Sequence, residues 1–252
     1  NTVNYGSALQ TFATQKYFTD KGFEVEFVDY WRKDQKIEAR IENIKKDKKD
    51  SLKKWLKKPI RDFLEIKSIK ASEKVFRGFI TQKINLTPKT YSSFEELKED
   101  CPEADIYVTG SDQMWNSGWN QGIEKSFFLE YVPEDKKRIA YATSIGKTEF
   151  GEKEAKEVIP YIRKYDLITL REQSAVDLLK KYDIESSLVL DPTLMLGRES
   201  WEKYIPRMDN NKKYLLVYQL HNEHADASFD DEVKKIAKHK NLDIIRVTYS
   251  YS

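Results

Sequence analysis

The feature that most constrains this chain is an apolar strand that runs into a glycine and then a dense set of polar side chains. Asp105-Ile106-Tyr107-Val108 leads through Thr109 and Gly110 into Ser111-Asp112-Gln113-Met114-Trp115-Asn116. In open α/β sheets ligands bind in the crevice at the carboxyl ends of the strands, so so polar a loop in that position reads as part of a site. The layout recurs. The strand-like stretch 138–143 ends at Ser144-Ile145-Gly146, 167–170 ends at Arg171-Glu172, and 188–190 ends at Asp191-Pro192-Thr193. The opening loop places Asn4-Tyr5-Gly6-Ser7 ahead of a helix, and a later strand offers Gln219, His221 and Asn222 at its end. The strand starts show no such enrichment, so one sheet edge carries the polar groups.

Between these strands the apolar spacing is helical at 7–19, 94–99, 153–165, 174–181 and 230–239. Strands are expected at 23–28, 105–109, 138–143, 167–170, 188–190, 214–220 and 243–247. Strands alternating with helices predict α/β architecture with Rossmann-like, mostly parallel sheets and right-handed crossovers. A polar stretch at 208–212 marks a boundary between an N-terminal domain, 1–207, and the start of a C-terminal domain, 208–252. Residues 32–83 interrupt the pattern with Lys-rich surface helices. Between Lys45 and Lys58 eight lysines face only Asp47 and Asp50. This run reads either as a solvated helix face or as a peripheral contact for anionic lipid headgroups or an acidic polymer.

Composition narrows the function classes. Lys and Arg (44) nearly balance Asp and Glu (42), which argues against a dedicated nucleic-acid binder. A single cysteine, Cys101, cannot close an internal disulfide and fits a reducing cytoplasm. No apolar run reaches the roughly 18–20 residues of a membrane-spanning helix, and no signal peptide is recognisable. The abrupt start at Asn1 and the end just after a strand read as a fragment of a longer protein.

Each polar residue has a structural and a functional reading. Gly6 and Ser7 cap a helix, or present N–H groups to an anion. Arg171 at a strand end suits bidentate carboxylate or phosphate binding, although it could pair structurally with Glu172. Asp191 before Pro192 can be a turn. Trp115 and Trp119, flanking Asn116-Ser117-Gly118, are core residues or a stacking wall for a sugar. His221 and His224 lack the partners of a convincing metal site, and no metal is expected. Cys101 lacks an obvious base and is not expected to be a nucleophile.

The chain resembles the polysaccharide pyruvyl transferase family. The resemblance rests on Asn4-Tyr5-Gly6-Ser7-Ala8-Leu9-Gln10, on Val25–Tyr30 ending in Val28-Asp29-Tyr30, and on Gly110-Ser111-Asp112-Gln113-Met114-Trp115-Asn116. It continues through Phe127-Phe128-Leu129, Tyr141-Ala142-Thr143-Ser144-Ile145-Gly146, Arg171-Glu172, Leu190-Asp191-Pro192-Thr193-Leu194-Met195-Leu196 and Trp201. It implies a GT-B-like pair of Rossmann-like domains with a cleft between them, the second truncated here. It also implies transfer of a pyruvyl group from phosphoenolpyruvate, a substrate and not a cofactor, to a saccharide or lipid-linked oligosaccharide, giving a pyruvate ketal. On that scheme Arg171, Glu172 and Asp112 are the candidate catalytic residues. Asn4, Tyr5, Gly6, Ser7, Gly110, Ser111, Gln113, Trp115, Asn116, Ser144, Gly146, Asp191 and His221 are the candidate substrate-binding ones. Glu172 or Asp112 would move protons, but a carboxylate paired with Arg171 has a lowered pKa and makes a poor acid. Family members also carry a Ser-Phe-His-Gly-type segment, or an Arg/His pair, beyond the stretch present here. The 252-residue chain alone is therefore expected to be inactive, and His221 does not replace the absent histidine. Two other readings share the fold or the loop: a GT-B glycosyltransferase using a nucleotide sugar, and a non-catalytic glycan-binding module.

Overall fold

The computed structural model describes residues 4–46, 58–205, 213–219 and 227–248. The chain divides into two compact units, residues 1–201 and 202–252. The expected boundary within 208–212 lies outside the described residues, as do His221 and residues 47–57 of the Lys-rich run. Every strand pairing is parallel, as expected of a Rossmann-like α/β fold.

In the first unit, α1 (Tyr5–Asp20) starts where the Asn4 side chain accepts the Ser7 N–H at 3.1 Å. That bond satisfies one of the orphan donors of the first turn. The helix ends at Gly22, whose φ of +91° suits glycine and lets the Phe23 N–H reach back to the Phe18 carbonyl at 3.2 Å. Strand β1 (Phe27–Tyr30) follows. It begins four residues later than the alternation at 23–28 suggests, and 23–26 has no regular structure. Among the described residues its ladder partner is β2 (Leu86–Tyr91), which pairs Asp29 with Thr90 and Tyr30 with Tyr91. Sequence reasoning missed β2. Pro88 demotes a strand pattern, yet an edge strand tolerates it.

Two helices of the insert are described, α2 (Ile37–Lys46) and α3 (Lys58–Lys83). The expectation of surface helices needs correction for α3. Its second half drives Phe76 and Ile80 into a buried cluster with Ala8 and Phe12 of α1. Four-residue spacing puts Phe76 and Ile80 on one helix face, and that face packs inward.

The main sheet has the order β3-β4-β5-β6: Ile106–Thr109, Lys137–Thr143, Leu167–Leu170 and Ser187–Leu188. Helix α4 (Phe94–Glu99) precedes β3 and is capped by Ser93. Helices α5 (Glu152–Ile162) and α6 (Gln173–Lys180) connect the later strands. Each shows the stripe that helical periodicity demands: Val158, Ile159 and Ile162 on α5, and Ala175, Leu178 and Leu179 on α6. With Ile145, Ile168 and Leu170 they form the larger core. Two short helices, α7 (Pro192–Met195) and α8 (Gly197–Glu202), close the unit, and Trp201 lies against Phe12 with ring centroids 5.8 Å apart. No helix among the described residues is long and apolar enough to cross a membrane.

Trp115 belongs to this core, which corrects its assignment as a substrate contact. It is 1 % exposed and stacks on Phe128 (5.7 Å between centroids) with Tyr165 edge-on (5.2 Å), while its Nε1 donates to the Phe127 carbonyl at 3.1 Å. A ring so enclosed offers no face to a ligand.

The second unit is one βαβ turn. Strands β7 (Tyr214–Gln219) and β8 (Asp243–Thr248) pair in full register, connected by α9 (Ala227–Lys240). Val217, Val233 and Ala237 form its buried side.

Trp115→Ala removes a fully buried ring and a hydrogen bond, so it should lower unfolding stability by about 3–5 kcal/mol. Urea unfolding followed by circular dichroism measures this, and a loss under about 1 kcal/mol would contradict the placement.

Candidate functional site

Because β3 to β6 run parallel, their carboxyl ends emerge at one edge. Each end delivers a charged or polar group there. The loop after β3 supplies Ser111 and Asp112, the turn after β4 supplies Ser144 to Gly146, β5 ends in Arg171 and Glu172, and the segment after β6 supplies Asp191.

Arg171 sits at the centre. Its Nη1 donates to Asp191 Oδ2 at 2.9 Å and lies 3.4 Å from Ser111 Oγ. Nη2 stands 3.8 Å from Asp112 Oδ1, and Nε stands 3.7 Å from Glu172 Oε2. Those last two separations are ion-pair distances and too long for hydrogen bonds. Among the described residues, Nε and Nη2 therefore donate to nothing, and the side chain is 25 % exposed. Three carboxylates around one guanidinium leave the cluster two charges negative at neutral pH.

The three acids are held differently. Asp191 caps α7, accepting the Thr193 N–H (2.9 Å) and hydroxyl (2.7 Å) as well as Ser111 Oγ (3.1 Å). Burial alone would raise its pKa. The hydrogen bonds from Thr193, Arg171 and Ser111 outweigh burial and hold the carboxyl below its usual value. Glu172 Oε1 accepts three bonds, from Ser144 Oγ (2.7 Å) and from the N–H groups of Ile145 and Gly146 (both 2.9 Å). It anchors that turn. Asp112 Oδ2 accepts the Ser7 hydroxyl at 2.5 Å, which ties the start of α1 to the edge, and Oδ1 accepts its own neighbour's N–H, Gln113, at 2.8 Å. Asp112 is the most exposed of the three, with 33 % of its side chain accessible. Its φ of +138° is a region that non-glycine residues rarely occupy. Strain of that kind costs on the order of 1–3 kcal/mol and persists only where the surroundings enforce it. Here the Asp112 carbonyl accepts the N–H groups of Met114 (2.7 Å) and Ser144 (2.9 Å).

Beyond Asp112 the network continues outward. Asn116 Nδ2 donates to Gln113 Oε1 at 2.5 Å, and Asn116 Oδ1 accepts the Trp119 N–H at 3.1 Å. Both amides press on Gly146. A Cβ there would lie 2.5 Å from Asn116 Nδ2 and 2.8 Å from Gln113 Oε1, and the φ of Gly146 is +62°.

Of the residues expected to touch substrate, Ser111 and Ser144 are buried and their hydroxyls orient Asp191 and Glu172, so both support the acids from behind. Asn116 is nearly buried and joins the amide network. Asn4 caps α1, Gly6 leaves its Cβ position 3.2 Å from Asn4 Oδ1, and Tyr5 is exposed with its ring 4.8 Å from Phe76. The Gly110 carbonyl accepts the Thr143 hydroxyl at 3.2 Å. Sequence reasoning missed Ile145, whose N–H joins Gly146 on Glu172, and the group Ser117, Lys147 and Glu154 that pins the outer loop. Lys147 directly follows Gly146, and that adjacency is the one sequence signal by which it was findable. Among the described residues no cluster of His, Cys, Asp and Glu is arranged to hold a metal ion.

The family model of polysaccharide pyruvyl transferases matches residues 4–251. The chain belongs to the polysaccharide pyruvyl transferase family. That family is one of transferase enzymes acting on polysaccharide. No curated protein and no solved structure matches the chain.

Two outcomes follow from the geometry. Gly146→Ala should cost about 1–2 kcal/mol, since an L side chain is strained at that φ, and should break the Asn116–Gln113 bond. Thermal unfolding together with amide side-chain NMR signals checks both parts. Asp191 has a native pKa below its unfolded one. Its ionised form therefore stabilises the fold above about pH 4, and that contribution fades as pH falls through the native value. Asp191→Asn should be less stable at pH 7, and its stability should decline less steeply than the native chain's between about pH 5 and 2. Parallel acid-unfolding curves would refute this assignment.

Proposed function

We propose that this pyruvyl transferase takes its pyruvyl group from phosphoenolpyruvate and transfers it to two hydroxyls of a saccharide, giving a ketal. The observation that carries the donor assignment is the state of Arg171. One of its nitrogens holds Asp191, while Nε and Nη2 form an unbonded fork among the described residues at a partly exposed strand end. Such a fork matches a carboxylate or phosphate bidentately.

The reaction makes two opposed electrostatic demands. The donor arrives as an anion and needs a cation and N–H donors. Protonation of its enol methylene then creates a cation-like centre at the adjacent carbon, which surrounding negative charge stabilises. A saccharide hydroxyl attacks that carbon, the bond to phosphate breaks, and a second hydroxyl closes the ketal. One hydroxyl proton balances the methylene that becomes a methyl group, and the other leaves with phosphate. The excess of carboxylate around Arg171 supports the second demand.

Among the acids, Asp112 fits the role of orienting and deprotonating the attacking hydroxyl. It is the most exposed, and its Ser7 partner donates a hydrogen bond that keeps the carboxylate aligned. Asp191 stays ionised as a helix cap, and Glu172 is committed to the 144–146 turn. A GT-B-like arrangement, with the remaining donor contacts on a second Rossmann-like domain, is part of the same proposal.

Calorimetric titration of phosphoenolpyruvate tests the donor. The native chain should bind saturably, Arg171→Ala should weaken binding by more than about tenfold, or ~1.4 kcal/mol, and Arg171→Lys should fall between. Binding of a nucleotide sugar in place of phosphoenolpyruvate would overturn the reading in favour of glycosyl transfer.

A further inference from the structure

Trp119 is 69 % exposed, although the loop that carries it is firmly built. Its own N–H is held by Asn116 Oδ1 at 3.1 Å. Asn120 Nδ2 clasps the carbonyls of Gln113 and Met114 at 3.0 Å each, and the Gly122 N–H closes onto the Ser117 carbonyl at 2.8 Å. On the other side Ser117 Oγ donates to Glu154 Oε1 at 2.5 Å, and Lys147 Nζ holds both Glu154 oxygens at 2.8 and 2.9 Å. A rigid loop could bury an indole, as the same loop does with Trp115. Leaving a large apolar ring in water has a cost that the fold does not recover by itself.

The surroundings indicate what covers it. Gln113 and Asn116 connect the Trp119 backbone to the turn at Gly146, whose N–H meets Glu172, so the loop that carries the indole is tied to the network centred on Arg171. Gln113 commits its Oε1 to Asn116, and among the described residues its Nε2 donates to nothing. An exposed indole on so firmly held a loop matches a pyranose. One sugar face is a patch of C–H groups that lies on an aromatic ring, and its edge hydroxyls accept hydrogen bonds.

We propose that Trp119 is a stacking subsite for a pyranose ring of the saccharide acceptor. The inference rests on a saccharide being the acceptor, and its contacts are separate from the donor contacts assigned to Arg171. Binding energy gained there holds the acceptor while hydroxyls are presented to Asp112. Charge on the sugar is not required, so neutral pyranosides suffice as probes.

Saturation-transfer NMR with the methyl pyranosides of glucose, galactose and mannose at millimolar concentration tests this. In the native chain at least one sugar should show saturation concentrated on the C–H protons of a single ring face. Trp119→Ala should lose about fivefold or more of that signal, whereas Trp119→Phe should keep most of it. Unchanged thermal unfolding confirms that the exposed substitution leaves the fold intact. Equal saturation in Trp119→Ala, or none from any of the three sugars in the native chain, would overturn the subsite. Calorimetry of phosphoenolpyruvate on the Trp119→Ala chain keeps the two readings apart. Donor binding should be unchanged, and a donor that binds neither chain counts against the donor assignment alone. A donor that binds the native chain but not the variant would place Trp119 in the donor site and overturn the acceptor subsite.

Discussion

One guanidinium holds the working edge of this protein together. Asp112, Glu172 and Asp191 arrive from the ends of three strands, and a parallel sheet gives them no choice but to meet. Without a cation among them, three carboxylates at such distances would repel one another and push the loops apart. Arg171 lies within 4 Å of each, and through Asp112 and Ser7 it also fixes where α1 begins. All four side chains are partly exposed, so solvent weakens each pair. The bracket works through the number of its partners more than through the strength of any one.

The same bracket divides labour among acids that look interchangeable in sequence. Glu172 and Asp191 each have several fixed donors that hold them in a set geometry, which makes them scaffolding. Asp112 is different because its backbone is strained and its carboxylate faces outward. Strain held in place by the Met114 and Ser144 N–H groups stops that residue relaxing into an ordinary turn. In the proposed reaction a carboxylate so positioned would meet a hydroxyl without first reorganising, and avoided reorganisation is a large part of what a preorganised site contributes.

Much of this was readable from residue order. Periodicity located α1, α4, α5 and α6 and the four strands of the main sheet, because each of these helices buries apolar residues, α1 in the smaller cluster and the other three in the larger. It failed at β1 and β2. There the partners are far apart in the chain, Pro88 argues against a strand, and register depends on Asn85 accepting from the Phe27 N–H. The polar edge was visible as a list of strand ends, and the structure does bring Asp112, Arg171, Glu172 and Asp191 together. What the list could not reveal is direction. Ser111 and Ser144 look as available as Ser7, yet they point back into the protein. Their hydroxyls are taken up by Asp191 and Glu172.

Direction also separates the two tryptophans of the 115–119 loop, which sequence alone treats as equivalent. Trp115 follows the bridge between Asp112 and Thr143, and its N–H bonds the Ser144 carbonyl, so its side chain must enter the space beneath the sheet edge where Phe128 and Tyr165 wait. Four residues later the chain has turned through Asn116, Ser117 and Gly118, and Trp119 faces out. The loop thus has a root that belongs to the core and a tip that does not. On the proposed acceptor subsite, the tip meets the sugar while the root holds Asp112, and a change of side chain at position 119 alters no contact that shapes the bracket around Arg171. Recognition and chemistry on one short loop are compatible only when such a root lies between them.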